Sequence, residues 1–208
     1  PDTCEELLRA ASAHGCSTPI ICLTAKDNPE LDKAAIRGGA ADYLIKDQLG
    51  TVQIERTIRY AMDRKSAESE LARLAHYDAL TGIPNRLLFN DRLDRALQRA
   101  DRGDSPFALL YVDLDGFKTV NDMHGHDVGD KLVQGIAERL SQCIRRTDSV
   151  ARIGGDEFTV LLEKINSTND TVMVAQKIID VITEPFNIDG QQLRVGSSIG
   201  IAVYPEAG

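Results

Sequence analysis

Asp113 closes a strongly apolar run, residues 107–114, and Asp156-Glu157 follow a pair of glycines further along the chain. An aspartate at a strand end and an acidic pair at a hairpin tip become neighbours if the hairpin pairs with that strand. Carboxylates brought that close repel, so such a cluster is stable mainly when a hard cation lies between them. Mg²⁺ held by one or two carboxylates, with substrate phosphates completing its shell, has this donor set. The competing reading is that Asp-Glu at a hairpin tip is ordinary solvated turn chemistry. His124 and His126 form an H-x-H pair, but no cysteine or third histidine stands near them. They read as loop or packing residues rather than a transition-metal site.

The elements that must position these groups show as periodicities. A turn-rich segment, residues 78–85, precedes a helical pattern over 86–102 in which Leu87, Leu88, Leu93 and Leu97 recur. An amphipathic helix is expected over 127–144 and another over 171–183. Short strands at 150–153 and 158–162 flank Gly154-Gly155-Asp156-Glu157, a hairpin whose glycines are expected to supply unusual dihedrals. Two more strands are expected near 192–194 and 197–204. The order β-α-β-β-α-β predicts a mostly antiparallel sheet with helices on one face. Upstream, helix 5–13, an apolar run at 19–24, helix 29–37 closed by Gly38-Gly39, and a strand at 42–46 predict a parallel α/β unit. The 19–24 run has the pattern of a strand buried on both faces. Residues 51–75 form a charged helix whose apolar seam is broken by Lys65 and Glu68. It is either a solvated spacer or a helix that pairs weakly with a copy of itself.

Composition narrows the classes. A hydrophobic fraction of 42% with 27% charged residues excludes wholesale disorder. The net charge of -8 leaves no basic field for a nucleic acid, so a nucleoside triphosphate would need a divalent cation between its phosphates and the acidic groups. Cys4, Cys16, Cys22 and Cys143 show neither a CxxC pair nor metal spacing, and are expected to be reduced thiols of a cytoplasmic protein. No apolar run approaches the ~20 residues of a membrane span. No signal peptide is visible, and a chain that starts at Pro1 without Met reads as a piece of a longer protein.

Five ordered motifs resemble the GGDEF family of diguanylate cyclases: Asp78-x-Leu80-Thr81-Gly82-Ile83-Pro84-Asn85-Arg86; Asp113-Leu114-Asp115-Gly116-Phe117-Lys118-x-x-Asn121-Asp122; Gly125-His126-x-x-Gly129-Asp130; Arg152-x-Gly154-Gly155-Asp156-Glu157-Phe158; and Ser198-Ile199-Gly200-Ile201-Ala202. The resemblance implies an α/β fold of the nucleotide-cyclase palm type over residues 77–208, and condensation of two GTP into cyclic di-GMP by a homodimer. It implies that Asp113, Asp156 and the Leu114 carbonyl hold Mg²⁺ or Mn²⁺, with Glu157 at a second metal position. Asp156 is the first candidate for general base. A metal lowers the pKa of its ligand, so Glu157 and a metal-bound hydroxide stay open for that role. Gly154, Gly155 and Phe117 would line the nucleotide, the glycines letting the backbone approach the phosphates. Lys118 would neutralise phosphate charge, whereas without the motif it reads as an exposed lysine at a polar helix start. Asn121 and Asp130 would select guanine, since a carboxylate accepts from N1–H and the 2-amino group while an amide donates to O6 or N7. Outside this resemblance each reads as a helix cap.

Arg145-x-x-Asp148, just before the Arg152 motif, resembles the family's product-binding inhibitory site, with Arg145 on guanine and phosphate and Asp148 on the guanine edge. Residues 1–49 resemble the C-terminal half of a response-regulator receiver domain. Thr24, Tyr43 and Lys46 match its switch hydroxyl, switch aromatic and phosphate-contacting lysine. Asp47 replaces the usual proline, and the phosphoacceptor aspartate would lie before Pro1. Residues 50–76 would be the linker helix carrying the signal of a bacterial histidine kinase upstream of the intact receiver. Glu184-Pro185-Phe186 and Asp189-Gly190 resemble GGDEF domains followed by an EAL phosphodiesterase, so a non-catalytic GTP- or cyclic di-GMP-binding module regulating such a domain is the second reading. In the family a further helix and strand, with phosphate-gripping Lys and Arg, follow the 198–205 strand. Residues 77–208 therefore read as truncated at the C-terminal end, and weak activity is expected of them alone.

Overall fold

The structure is a computed structural model and describes residues 4–25, 28–103 and 105–206. The chain divides between Arg73 and Leu74 into two units. In the first, helix α1 (Cys4–Ala13), strand β1 (Ile21–Thr24), helix α2 (Pro29–Arg37) and strand β2 (Asp42–Ile45) follow in order. β1 and β2 pair in parallel, with Cys22 opposite Tyr43. The Asn28 carboxamide caps α2 by accepting from the Glu30 and Leu31 N–H groups. Leu8, Cys22, Ala35 and Ala40 make a small core. Burial on both faces of the 19–24 run does not occur: Cys22 is buried, but Leu23 stays 54% exposed. The reason is that both helices contribute to Cys22's side, through Leu8 and Ala35. The expectation of four reduced thiols is corrected too, since Cys4 and Cys22 are paired with Cα atoms 7.0 Å apart. Packing of α1 on β1 brings together two cysteines whose spacing carries no motif; Cys16 and Cys143 are free.

Helix α3 (Thr51–His76) is continuous across the boundary between the units. Its Ile58, Met62 and Leu71 are exposed. Glu55–Arg59, Arg64–Glu68 and Glu70–Arg73 pair along its exposed surface, where solvent screens such pairs strongly. Among the described residues no helix is long and apolar enough to cross a membrane.

The second unit runs α4 (Arg86–Asp101), β3 (Phe107–Asp115), α5 (Phe117–His124), α6 (His126–Cys143), β4 (Ser149–Arg152), β5 (Glu157–Glu163), α7 (Thr168–Thr183), β6 (Phe186–Ile188), β7 (Gln191–Leu193) and β8 (Gly196–Tyr204). Four strands form an antiparallel sheet in the order β4-β5-β3-β8. The strand expected at 192–194 is instead the second arm of a separate hairpin, β6–β7, turned at Asp189-Gly190.

Alternation along β3 explains both the core and the site. Ala108, Leu110, Val112 and Leu114 point into a core with Leu132, Val133, Ile136 and Leu140 of α6 and Ile178 and Ile182 of α7. Each fully buried Leu or Ile there contributes about 2–3 kcal/mol. Phe107 and Leu109 point the other way, under Phe89, Leu93, Ala96 and Leu97 of α4. Helices therefore cover both faces, not one: the 86–102 pattern supplies an apolar stripe that needs its own partner. On that second face Tyr111, Asp113 and Asp115 remain exposed.

Candidate active site

The exposed half of β3 meets the hairpin tip in a defined register. Asp113 lies directly opposite Glu157, and the Leu114 N–H donates to the Asp156 carbonyl at 3.3 Å. The tip closes where the Ile153 N–H donates to the Glu157 carbonyl at 2.9 Å. Neither Gly154 nor Gly155 has a positive φ, which corrects the expectation of unusual dihedrals. A Cβ on Gly154 would lie 2.6 Å from Glu157 Oε2, the end of a flexible side chain that can move aside, and at Gly155 nothing lies within 4 Å, so the protein's own packing does not demand glycine at either position.

Burial and the neighbouring carboxylates of Asp156, Asp115 and Glu157 hold the Asp113 carboxyl above its ordinary pKa. Carboxylates gathered at the cost of mutual repulsion fit a hard cation. Among the described residues no three His, Cys, Asp or Glu side chains converge as a ready-made cage. Mg²⁺ does not require one, because phosphate oxygens and water fill the remaining positions.

Two residues that the motif reading left without a role support this face. Tyr111, two residues before Asp113 and so on the same side of β3, has its hydroxyl pKa raised chiefly by the nearby Glu157 carboxylate. Arg152 braces the tip: its Nε and Nη2 donate to the Gly154 and Gly155 carbonyls at 3.2 and 2.9 Å. Its Nη1 donates to Asp78 Oδ1 at 3.1 Å. Asp78 also accepts from the Thr81 hydroxyl and N–H at 2.6 and 2.9 Å. Burial alone would raise the Asp78 pKa, but Thr81 and Arg152 outweigh it and hold it below the usual value. The signal for Arg152 was its place in the motif; the signal for Tyr111 was strand periodicity.

The turn after β3 carries the nucleotide candidates. Gly116, at φ 76°, starts α5, and Gly125, at φ 87°, ends α5 and starts α6. Both positions need the left-handed region that glycine enters without strain. Phe117 is buried in the core, so its ring packs inward. Lys118 is exposed, Asn121 half-buried and Asp130 exposed. α5 and α6 cross so closely that a Cβ on Gly129 would collide with Asn121 Oδ1. Asn121 and the residue before Asp130 are thus in contact. Gly129→Ala is expected to cost about 1–2 kcal/mol of stability by overpacking. On the guanine-selecting role that the motif resemblance implies for Asn121, it should also turn that amide away and weaken GTP binding about fivefold, one hydrogen bond's worth. Calorimetry of GTP binding checks this, and unchanged affinity would contradict the placement.

A family profile described as "Diguanylate cyclase, GGDEF domain" matches residues 75–208. The chain belongs to the GGDEF family. It is 45% identical over 153 residues to a bifunctional diguanylate cyclase/cyclic di-GMP phosphodiesterase, MucR, of Pseudomonas aeruginosa, covering 74% of this chain and 22% of that one. It thus spans about a fifth of that relative. The GGDEF domain of TpbB from the same species superposes with a TM-score of 0.61 at 43% identity, covering 63% of this chain and 77% of that one. The GGDEF domain of DgcB from Caulobacter crescentus, in complex with c-di-GMP, does so at 0.59 and 28% identity, covering 62% and 75%.

The Asp148 carboxylate accepts from the Arg145 N–H of its own turn and from the Glu163 N–H at the end of β5, each at 3.1 Å. The Arg145 side chain is exposed. In the first unit Thr24 ends β1, Tyr43 sits in β2, and exposed Lys46 follows β2 directly. The pairing of Thr24 with Ile45 brings the first and third of these to one end of the sheet.

Proposed function

We propose that the GGDEF unit condenses two GTP into cyclic di-GMP with release of pyrophosphate. The observation that carries this reading is the Asp113–Glu157 register, which sets these two carboxylates together on the part of their sheet face that α4 leaves uncovered. In each of two steps a ribose 3′-oxygen bonds to the α-phosphorus of the other nucleotide. The bond from that phosphorus to the bridging oxygen breaks, and pyrophosphate leaves with the electron pair. The hydroxyl proton passes to Asp156 or Glu157. Asp113, Asp156 and the Leu114 carbonyl would hold Mg²⁺ or Mn²⁺, with Glu157 at a second position. Such a cation, when bound, neutralises phosphate charge and polarises the reacting phosphorus. Gly155 leaves room for phosphates, Lys118 faces their charge, and guanine docks on Asn121 and Asp130, covering the latter. One unit holds one GTP, so two copies must face each other.

Full-length protein incubated with GTP and Mg²⁺ should yield cyclic di-GMP by mass spectrometry. Intact GTP binding without product at micromolar protein would favour the second reading, a binding module that regulates an attached phosphodiesterase. The bifunctional description of MucR supports keeping that second reading. Regulation would come from receiver phosphorylation by a histidine kinase, relayed from Thr24, Tyr43 and Lys46 through α3. Cyclic di-GMP would inhibit by binding at Arg145 and the remaining acceptor sites of Asp148, a reading supported by the DgcB complex. Arg145→Ala is expected to raise the inhibitory product concentration at least tenfold, the scale of one charge-assisted contact, with initial rates intact. Inhibition curves decide it, and unchanged inhibition sinks the assignment.

A further inference from the structure

β8 flanks β3 on the side away from the GGDEF tip, and its exposed face reads Gly196, Ser198, Gly200, Ala202. Ser198 stands directly opposite Asp113, and Gly196 opposite Asp115. The Ser198 hydroxyl donates to Asp115 Oδ1 at 2.9 Å. A Cβ on Gly196 would lie 3.1 Å from Asp115 Oδ2, so the missing side chain gives this carboxylate the room to meet Ser198.

The polarity of that bond limits what Ser198 can do. A hydroxyl has one proton, a carboxylate only accepts, and so the proton is committed to Asp115. What Ser198 presents outward is a lone pair, which does not suit a phosphate oxygen, itself an acceptor. It suits a hydroxyl donor. The condensing reaction places ribose hydroxyls beside the α-phosphate at Asp113, and directly opposed side chains on adjacent antiparallel strands start about 4.5–5.5 Å apart. The attacking 3′-oxygen must lose its proton to the base and aim a lone pair at phosphorus. The neighbouring 2′-hydroxyl is the donor that remains.

We propose that Ser198 binds the ribose 2′-hydroxyl of GTP, and that Asp115 is the positioning residue that makes Ser198 an acceptor. The pair sets the 3′-oxygen's aim and selects ribo- over deoxyribonucleotide. The inference rests on the GTP-condensing reading above.

The test compares GTP with 2′-deoxy-GTP, which keeps the attacking 3′-hydroxyl. Wild-type full-length protein should show kcat/KM about five- to tenfold higher for GTP, the scale of one hydrogen bond. Ser198→Ala should lower the value for GTP to that for 2′-deoxy-GTP and leave the latter unchanged. Ser198→Thr, which retains the hydroxyl, should keep the discrimination. Calorimetry with α,β-methylene analogues of the two nucleotides, which cannot lose pyrophosphate, should show the same pattern in affinity. Equal losses with both nucleotides, or no loss with GTP, would overturn the proposal while leaving the cyclase reading standing. Failure of the wild type to bind or turn over GTP would remove the cyclase reading itself.

Discussion

Asp113→Asn is expected to lower cyclic di-GMP formation about a thousandfold, the loss seen when a preorganised charge is removed from a reacting centre. The same change should leave the melting temperature no lower. At the end of β3 the loss of some water around Asp113, and then the facing carboxylates of Asp156, Asp115 and Glu157, raise its pKa. The folded chain therefore binds that proton more tightly than the unfolded chain does. As pH rises through the carboxylate range, ionising Asp113 costs stability, and the asparagine variant escapes that loss. Rates from product quantification and thermal melts at pH 7 test both halves. A variant within tenfold of wild-type activity would remove Asp113 from the site. Low activity with a lowered melting point would instead make it a structural residue.

Arg152→Ala is expected to cost about 2 kcal/mol of stability, the scale of losing hydrogen bonds to a charged group, since the pair is half-buried, its side chain 14% exposed and that of Asp78 24%. Three partners are lost together: Asp78 and the carbonyls of Gly154 and Gly155. The tip would then be held by strand pairing alone, and activity should fall at least tenfold through misplacement of Asp156 and Glu157. The stability difference carries a pH signature. The depressed Asp78 pKa contributes stability that is present above its unfolded value and is lost as pH falls through the folded one. The gap between wild type and variant in denaturant titrations should therefore narrow below the ordinary carboxylate range. A gap under 1 kcal/mol that does not change with pH would contradict the clasp.

Much of the framework was legible because periodicity and turn chemistry are local. The β3 run, the α6 stripe and the Arg152-to-Phe158 hairpin follow from side-chain alternation and from where glycines and charges interrupt it. Ordered motifs were enough to name Asp113, Asn121, Asp130 and Asp156 as a set. What could not be read was which face each element covers. Residues 86–102 have an apolar stripe whether α4 packs beside α6 or across the sheet from it. Only the sheet order decides that it shields Phe107 and Leu109 and leaves Tyr111, Asp113 and Asp115 open.

The same division holds for individual side chains. The sequence by itself determined the residue types of the site and the strand that carries Asp113. It did not show that the Gly-Gly tip is built without the positive φ angles expected of it. The tertiary structure alone decided that Arg152 spans from Asp78 to the tip and that Ser198 gives its proton to Asp115. It alone paired Cys4 with Cys22. The physical reason is shared: these contacts depend on strand register and on which helix crosses which face, and register is set by the whole sheet closing on its cores.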